Sequence, residues 1–357
     1  MAYTTIDDPS AYFQNLLWTG NGSNRSLTFN GNSDLQPNWS WIKQRSGNNY
    51  FTLTDSVRGL NKQIYSNATD TEATQTTNIT AYNSNGVSLG TDSNLNGSGS
   101  TYVGWFWKAG TSVSGNTTGS GTAKAYSGSV NTDAGFSIIK YVGNQAAGHT
   151  IPHHLGAVPR MLIVKRLDPD ASAWHVYNGS LGATKRISLN TADAQDADGT
   201  AWNNTTPTSS VFTVGDSGTT NTNNANIIAY CFAEKKGYSK FGTYVGNGNA
   251  DGTFLYTGFK PAWVLFKNSG TANRQWQLLD NKRSSAGGNN VINITISPNN
   301  ARDESWWGTN TYADFLSNGF KLRNSYDGVN ESGGTYVYMA FAENPFTTSS
   351  GIPACAR

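Results

Sequence analysis

One pattern recurs three times along this 357-residue chain, and it constrains the fold more than any other feature. The first landmark is an aromatic residue, any residue, then Gly-Asn: Trp18-Thr19-Gly20-Asn21, Tyr141-Val142-Gly143-Asn144 and Tyr244-Val245-Gly246-Asn247. The second is Pro leading into an apolar run that ends in Lys, from Pro37 to Lys43, Pro159 to Lys165 and Pro261 to Lys267. The third is a closing strand after a Gly/Asn/Ser turn, Thr101 to Trp107, Asn226 to Phe232 and Thr335 to Phe341. From the Gly of the first landmark (20, 143, 246) to the Pro of the second (37, 159, 261) the gaps are 17, 16 and 15 residues. Spacing this even marks duplication of one unit of about 105 residues.

Between the second and third landmarks each copy adds a hairpin-like stretch, at Tyr50 to Asp55, Ala173 to Asn178 and Trp276 to Asp280, and a penultimate strand such as Ser210 to Val214. Six or seven short strands per copy, with turn residues every 8 to 12 positions or so, predict a two-sheet sandwich. The expected class is therefore all-β: three tandem, diverged β-sandwich modules of jelly-roll or lectin-like type. The expected division is repeat 1 over 1–109, a linker over 110–134, repeat 2 over 135–237, repeat 3 over 238–346 and a tail over 347–357. The Gly/Ser/Thr-rich stretch from Ala109 to Ala134 reads as a flexible tether that holds the first copy apart from a joined second and third.

Charge and composition narrow the function. Only 13% of residues are charged and the net charge is +2, too weak a field to hold a nucleic-acid backbone. The 11 Trp, 17 Tyr and 15 Phe argue against disorder. Cys231 lies in an apolar run and Cys355 near the end, so no disulfide is expected. No apolar stretch approaches the roughly 20 residues that span a bilayer, and the start carries no secretory signal, so synthesis in a cytoplasm is expected.

The landmarks, especially Gly237 to Asn247, Asn318 to Asn324 and Tyr336 to Phe346, resemble a family of repeat domains in virion proteins of marine and cyanobacterial bacteriophages. The resemblance covers nearly all of residues 10–346, and Met1 to Tyr12 also looks like the start of such a protein. It implies a tail-fibre, appendage or head-decoration protein with a lectin-like sandwich and no catalytic residues. It further implies a virion-surface location and other virion proteins as partners. Repetition within the chain, and sheet edges with few Lys and Pro to guard them, point to a homo-oligomer.

The search for chemistry returns little. His149, His153, His154 and His175 sit in one copy without regular zinc spacing, and read more simply as polar loop residues. Asp168, Asp170, Asp193, Asp196 and Asp198 form an acidic cluster that would suit calcium, though solvated loops are the simpler reading. Asp55 and Asp280 match in position, each followed three residues later by Arg58 or Arg283, whereas the second copy has Asn178. That favours a shared turn cap over a glycosidase pair. No metal, cofactor or catalytic residue is assigned. Trp39, Trp41, Trp105, Trp107 and Trp263 lie in strands and read as packing. Trp202, Trp306, Trp307 and Tyr312 lie in long Asn/Thr/Asp-rich insertions, where rings beside amides would suit a glycan or a partner surface. The expected function is thus a virion structural subunit, with a glycan-binding host-attachment module as the alternative and a polysaccharide depolymerase as the enzyme reading.

Overall fold

A strand buried on one face alternates apolar and polar residues; these landmark strands do not. In the closing strand of the first copy Val103, Trp105 and Trp107 point into one apolar cluster and Tyr102 and Phe106 into another. The computed structural model, which describes residues 3–284, 291–308 and 310–354, shows why: the central sheet of each module is covered on both sides.

Module 1 comprises β1 (Phe13–Thr19), β2 (Arg25–Thr28), β3 (Trp39–Gln44), β4 (Thr52–Asp55), β5 (Lys62–Tyr65), β6 (Ala73–Thr74), β7 (Ile79–Asn83), β8 (Gly86–Leu89) and β9 (Thr101–Trp107). Its inner sheet runs β1-β9-β3-β4-β5-β6 and its outer sheet β2-β8-β7. Module 2 comprises β10 (Thr111–Asn116), β11 (Thr118–Gly119), β12 (Ala125–Asn131), β13 (Phe136–Val142), β14 (His149–Pro152), β15 (Met161–Arg166), β16 (Trp174–Asn178), β17 (Lys185–Ser188), β18 (Asp196–Ala197), β19 (Val211–Val214) and β20 (Asn226–Phe232). Its inner sheet runs β10-β12-β13-β20-β15-β16-β17-β18 and its outer sheet β11-β14-β19. Module 3 comprises β21 (Ser239–Val245), β22 (Phe254–Tyr256), β23 (Phe259–Asn268), β24 (Gln277–Asp280), β25 (Val291–Ile292), β26 (Ala313–Leu316), β27 (Gly319–Leu322) and β28 (Thr335–Pro345). It stacks β21-β28-β23-β24 on β22-β27-β26-β25. Every pairing is antiparallel, and helix among the described residues is confined to turns of three or four residues. The chain is all-β, with two packed sheets in each copy.

Two expectations change. Residues 110–134 are not a tether: β10, β11 and β12 add strands to both sheets of module 2, with Tyr126 opposite Tyr141 and Thr118 opposite Thr150. Pairing can hold this segment because its Ser, Gly and Thr alternate at a sheet edge with little to bury. Nor is the first copy held apart. Trp39 stacks on Tyr230 of module 2 at 4.6 Å and Trp107 meets Trp263 of module 3 edge-on at 5.7 Å. Phe232 and Phe341 from modules 2 and 3 complete the contact at 6.0 Å. One aromatic core joins all three inner sheets. Pro261 also departs from the strand-start reading, since it lies within β23, at a register shift that spares the ladder a missing donor.

The three seams repeat one another. Trp174 Nε1 donates to Tyr65 O at 2.9 Å across the first seam, and Trp276 Nε1 to Ser188 O at 2.9 Å across the second. Glu72 N donates to Leu167 O, Gln195 N to Ser269 O and Glu304 N to Arg45 O, from modules 1 to 2, 2 to 3 and 3 to 1. Each acceptor lies two residues beyond the Lys that ends the second landmark. The same contact passed head to tail and closing on itself arranges the modules about an approximate three-fold axis.

The landmarks acquire causes here. A Cβ on Gly20, Gly143 or Gly246 would come within 2.2–2.3 Å of the carbonyl oxygens of Gly97, Thr222 and Glu331, so only glycine fits. The Asn that follows each glycine donates its backbone N–H to a buried Asn side chain: Asn96, Asn221 or Asn330, at 3.1, 2.9 and 2.9 Å. The aromatic residue two positions before the glycine donates to the carbonyl just ahead of that same Asn: Trp18 to Leu95 O, Tyr141 to Thr220 O, Tyr244 to Val329 O, at 2.6–2.9 Å.

Candidate functional site

The insertion that carries Trp306 lies on the seam where module 3 meets module 1. Asp303 caps a 3-10 turn, Glu304–Trp307, accepting from Ser305 N at 2.9 Å and Ser305 Oγ at 2.6 Å. Those hydrogen bonds hold its carboxyl below the usual aspartate range. Glu304 takes Arg45 of module 1 in a two-point ion pair, Nε to Oε2 at 2.8 Å and Nη2 to Oε1 at 2.7 Å. Asp303 N donates to Asn48 Oδ1 at 3.1 Å. A turn tied down in this way presents its side chains in a fixed pose.

Trp306 is 52% exposed, with the Arg302 guanidinium 3.5 Å from its ring centroid. Trp307 is half-buried and leans on Tyr326 at 5.6 Å. Tyr312 is buried against the same Tyr326 at 6.1 Å and its hydroxyl donates to Trp307 O at 3.4 Å. Trp202 lies elsewhere, buried between the sheets of module 2 and edge-on to Tyr177 at 5.7 Å. Of the four insertion aromatics, one presents a face to solvent, one is partly covered, and Tyr312 and Trp202 serve packing. The Ala201–Trp202 step closes a helical turn capped by Asp198, which buries the indole where a longer loop would have left it free.

At the other end of the module 1 inner sheet, by Phe13 rather than Arg45, a polar cleft of about 180 Å³ lies between modules 3 and 1, with Asp8, Gln14, Asn15, Asn281, Lys282 and Glu343 on its walls. Asn15 Nδ2 bridges it to Asn281 Oδ1 at 2.9 Å. Carboxamides in a shallow cleft offer both donors and acceptors, the complement of neutral hydroxyl-rich molecules.

Asp55 and Asp280 are both turn caps. Asp55 Oδ1 accepts from Val57 N and Arg58 N at 3.0 and 2.8 Å, and Asp280 Oδ1 from Lys282 N and Arg283 N at 3.0 Å. Their Oδ2 atoms bind Arg58 Nε and Arg283 Nε at 2.5 and 2.6 Å with no side-chain exposure. Across the seams the same atoms accept from Tyr230 OH at 2.8 Å and Trp105 Nε1 at 3.1 Å. All of this is occupied in holding structure.

The histidines disperse. His149 lies between Asn221 Oδ1 at 3.0 Å and Thr117 Oγ1 at 2.6 Å, His153 meets Thr208 O at 3.1 Å, and His154 meets Tyr126 OH at 2.8 Å. Burial pushes His153 to about 4 and His175 to about 3, which leaves both neutral at ordinary pH. Asp168 accepts from Asn226 N and Nδ2, while Asp196 and Asp198 pair with Arg186. No group of three or more His, Cys, Asp or Glu among the described residues is placed to hold a metal ion. Cys231 is buried and unpaired, and Cys355 lies outside the described residues.

Sequence reasoning missed Asn96, Asn221 and Asn330. A signal was present: each stands six residues before the second position of its closing strand, Tyr102, Ile227 or Tyr336.

Residues 8–345 match the model of a family described as a domain of unknown function (DUF7483), and the chain belongs to that family. The match takes in all three modules together. Neither a curated protein nor a solved structure matches the chain.

Proposed function

We propose that this protein is a structural subunit of a bacteriophage particle, a fibre, appendage or capsid-surface component, and that it presents a glycan-binding face for host attachment. The observation that carries the reading is the closed ring of three sandwiches on one aromatic core. A chain that builds its own approximate three-fold body suits a particle whose appendages are themselves symmetric assemblies. The likeness of the landmarks to virion repeat domains supports the same reading. In it the carboxylates of Asp55 and Asp280 are structural, and the protein performs no reaction.

Glycan binding draws on Trp306, and the polar cleft between modules 3 and 1 is a second, separate surface for hydroxyl-rich ligands. An exposed indole on a tied-down turn stacks on the apolar face of a sugar at little conformational cost. Single sites of this kind are weak; many copies on one particle raise apparent affinity about 100-fold or more.

Two measurements test the proposal. Immunogold labelling of purified particles is expected to place the protein on the virion surface in several copies; its absence from particles refutes the structural role. A glycan array probed with the purified chain is expected to give binding that Trp306→Ala weakens about tenfold or more, as loss of a central aromatic contact does elsewhere. Binding unaffected by that change, or release of shortened saccharides, refutes the attachment reading and favours a depolymerase.

A further inference from the structure

The outer sheets of the three modules begin with equivalent strands. β2, β14 and β22 place Leu27, Ile151 and Leu255 opposite Val87, Phe212 and Phe320. In module 2 the free side of β14 is taken: Thr118 and Gly119 of β11 pair antiparallel with Thr150 and His149, and Thr118 and Thr150 hydroxyls meet at 2.7 Å. Past that contact, where the edge would reopen, stands Pro152, which has no N–H to offer.

Among the described residues module 3 has neither device. β22 ends its sheet, next to β27 alone, and Tyr3 meets it through its hydroxyl, 3.1 Å from that of Tyr256 and donating to Gly258 O at 2.8 Å. Leu322 N donates to Thr253 O at 3.1 Å and Thr257 N to Asn318 O at 3.0 Å, so the odd-numbered residues bond inward to β27. By the alternation of an antiparallel ladder, Phe254 and Tyr256 then turn their N–H and C=O groups to the open edge. Their positions match Thr150 and Pro152. Both side chains are exposed, at 43% and 54%, and Val245 beside them at 57%. An open edge flanked by aromatic residues and free of Lys and Pro invites a strand.

We propose that β22 is a docking edge for β22 of a second copy of this chain, an antiparallel two-fold pairing that joins two three-module bodies. The strand is self-complementary. With the two-fold axis at Leu255, Phe254 of one protomer stands opposite Tyr256 of its partner, and both outward-facing residues exchange backbone hydrogen bonds. No charge on Phe254–Tyr256 opposes its own image across that axis. The inference is independent of glycan binding and of particle location.

Analytical ultracentrifugation of the full chain across a concentration series tests it. A monomer–dimer equilibrium is expected below about 100 µM, the affinity range of a short edge pairing. Tyr256→Pro copies the residue that module 2 carries at this position, and Phe254→Lys adds an edge charge; each is expected to weaken dimerisation about tenfold or more, with tryptophan emission unchanged. A chain that stays monomeric through that range, or a dimer untouched by either substitution, overturns the proposal. Should both variants misfold, amide exchange of the unaltered chain decides: Phe254 and Tyr256 amides are expected to be slower at high than at low concentration, and equal rates overturn it.

Discussion

At the residue scale the departures among copies are as informative as the repeats. Where modules 1 and 3 have Asp55–Arg58 and Asp280–Arg283, module 2 has Asn178 and Leu181. The position that faces the first two across the ring is Tyr230 or Trp105, each with a hydrogen to donate; the residue equivalent to these in module 3 is Met339. A carboxylate thus occurs where a buried donor and a buried guanidinium both need it, and is absent where neither exists. Removing one partner strands the other in a dry site. Asp55→Asn is therefore expected to lower unfolding stability by about 3–5 kcal/mol, while the triple change Asp55→Asn, Arg58→Leu, Tyr230→Met recreates the set of Asn178 and Leu181 in module 2 with Met339 in module 3 and recovers most of it. Urea titration followed by tryptophan emission measures both. A triple variant as unstable as the single one would show that the pattern is coincidence. The Asn96, Asn221 and Asn330 clamps follow the same logic: Asn330→Ala leaves the N–H of Asn247 without its buried acceptor.

At the element scale, strands β3, β15 and β23 each deliver a lysine to a seam. Lys43 donates to Gln44 O and Gly47 O, Lys165 to Thr69 O and Ser172 O, and Lys267 to Ala192 O and Asn268 O, at 2.6–3.3 Å. Burial pushes each ammonium down to about 8, against partial compensation by Asp303 and Glu304, Asp70 and Asp193 respectively. The folded values lie below the unfolded value near 10.5, so the unfolded chain holds more protons between the two, and stability rises with pH from about 8 upward. Buried Cys231, raised to about 12, and the raised tyrosines oppose this once unfolded thiols and phenols begin to ionise. The expected profile climbs from about pH 8 to 9 and turns over above it. Melting temperatures across that range check it, and a steady fall from pH 8 contradicts it. These lysines also mark what was legible beforehand. The first landmark could be read because it is fixed by contacts inside its own copy, the glycine packed on a carbonyl and the aromatic residue hydrogen-bonded beside it. The seams could not, because a strand buried on both faces looks the same whether its second cover is a sister sheet or a neighbouring module. The same limit made β10–β12 look like a tether: Ser112, Ser114, Ser127 and Ser129 alternate with no apolar stripe to announce a strand. Within the insertions, exposure of Trp306 and burial of Trp202 were indistinguishable, since both follow Asp/Asn-rich turns and only tertiary packing separates them.

At the scale of the whole molecule, the shared core makes the modules depend on one another. Trp39, Trp41, Trp105 and Trp107 of module 1 are fully buried, and much of their cover comes from Phe136, Tyr230 and Phe232 of module 2 and Trp263 and Phe341 of module 3. Residues 1–109 alone would present these four indoles to water, an apolar face far larger than the few hundred Å² or so that soluble monomers tolerate. At about 25 cal/mol per Å² of apolar surface, four uncovered tryptophans forfeit several kcal/mol, comparable to the whole stability of a domain this size. The ring is thus expected to unfold as one cooperative unit although its chain reads as three copies. Calorimetry of the full chain is expected to give a single transition whose van't Hoff and calorimetric enthalpies agree, and residues 1–109 expressed alone are expected to aggregate or to lack the dispersed amide spectrum of a folded sandwich. Three resolved transitions, or a stable soluble first module, would mean that the sandwiches are autonomous and merely touch. The head-to-tail seams add a kinetic corollary. Each module both gives and receives the same contact, so closure of the third seam, Glu304 onto Arg45, joins ends that are about 260 residues apart and completes the core only when both outer modules are already in place.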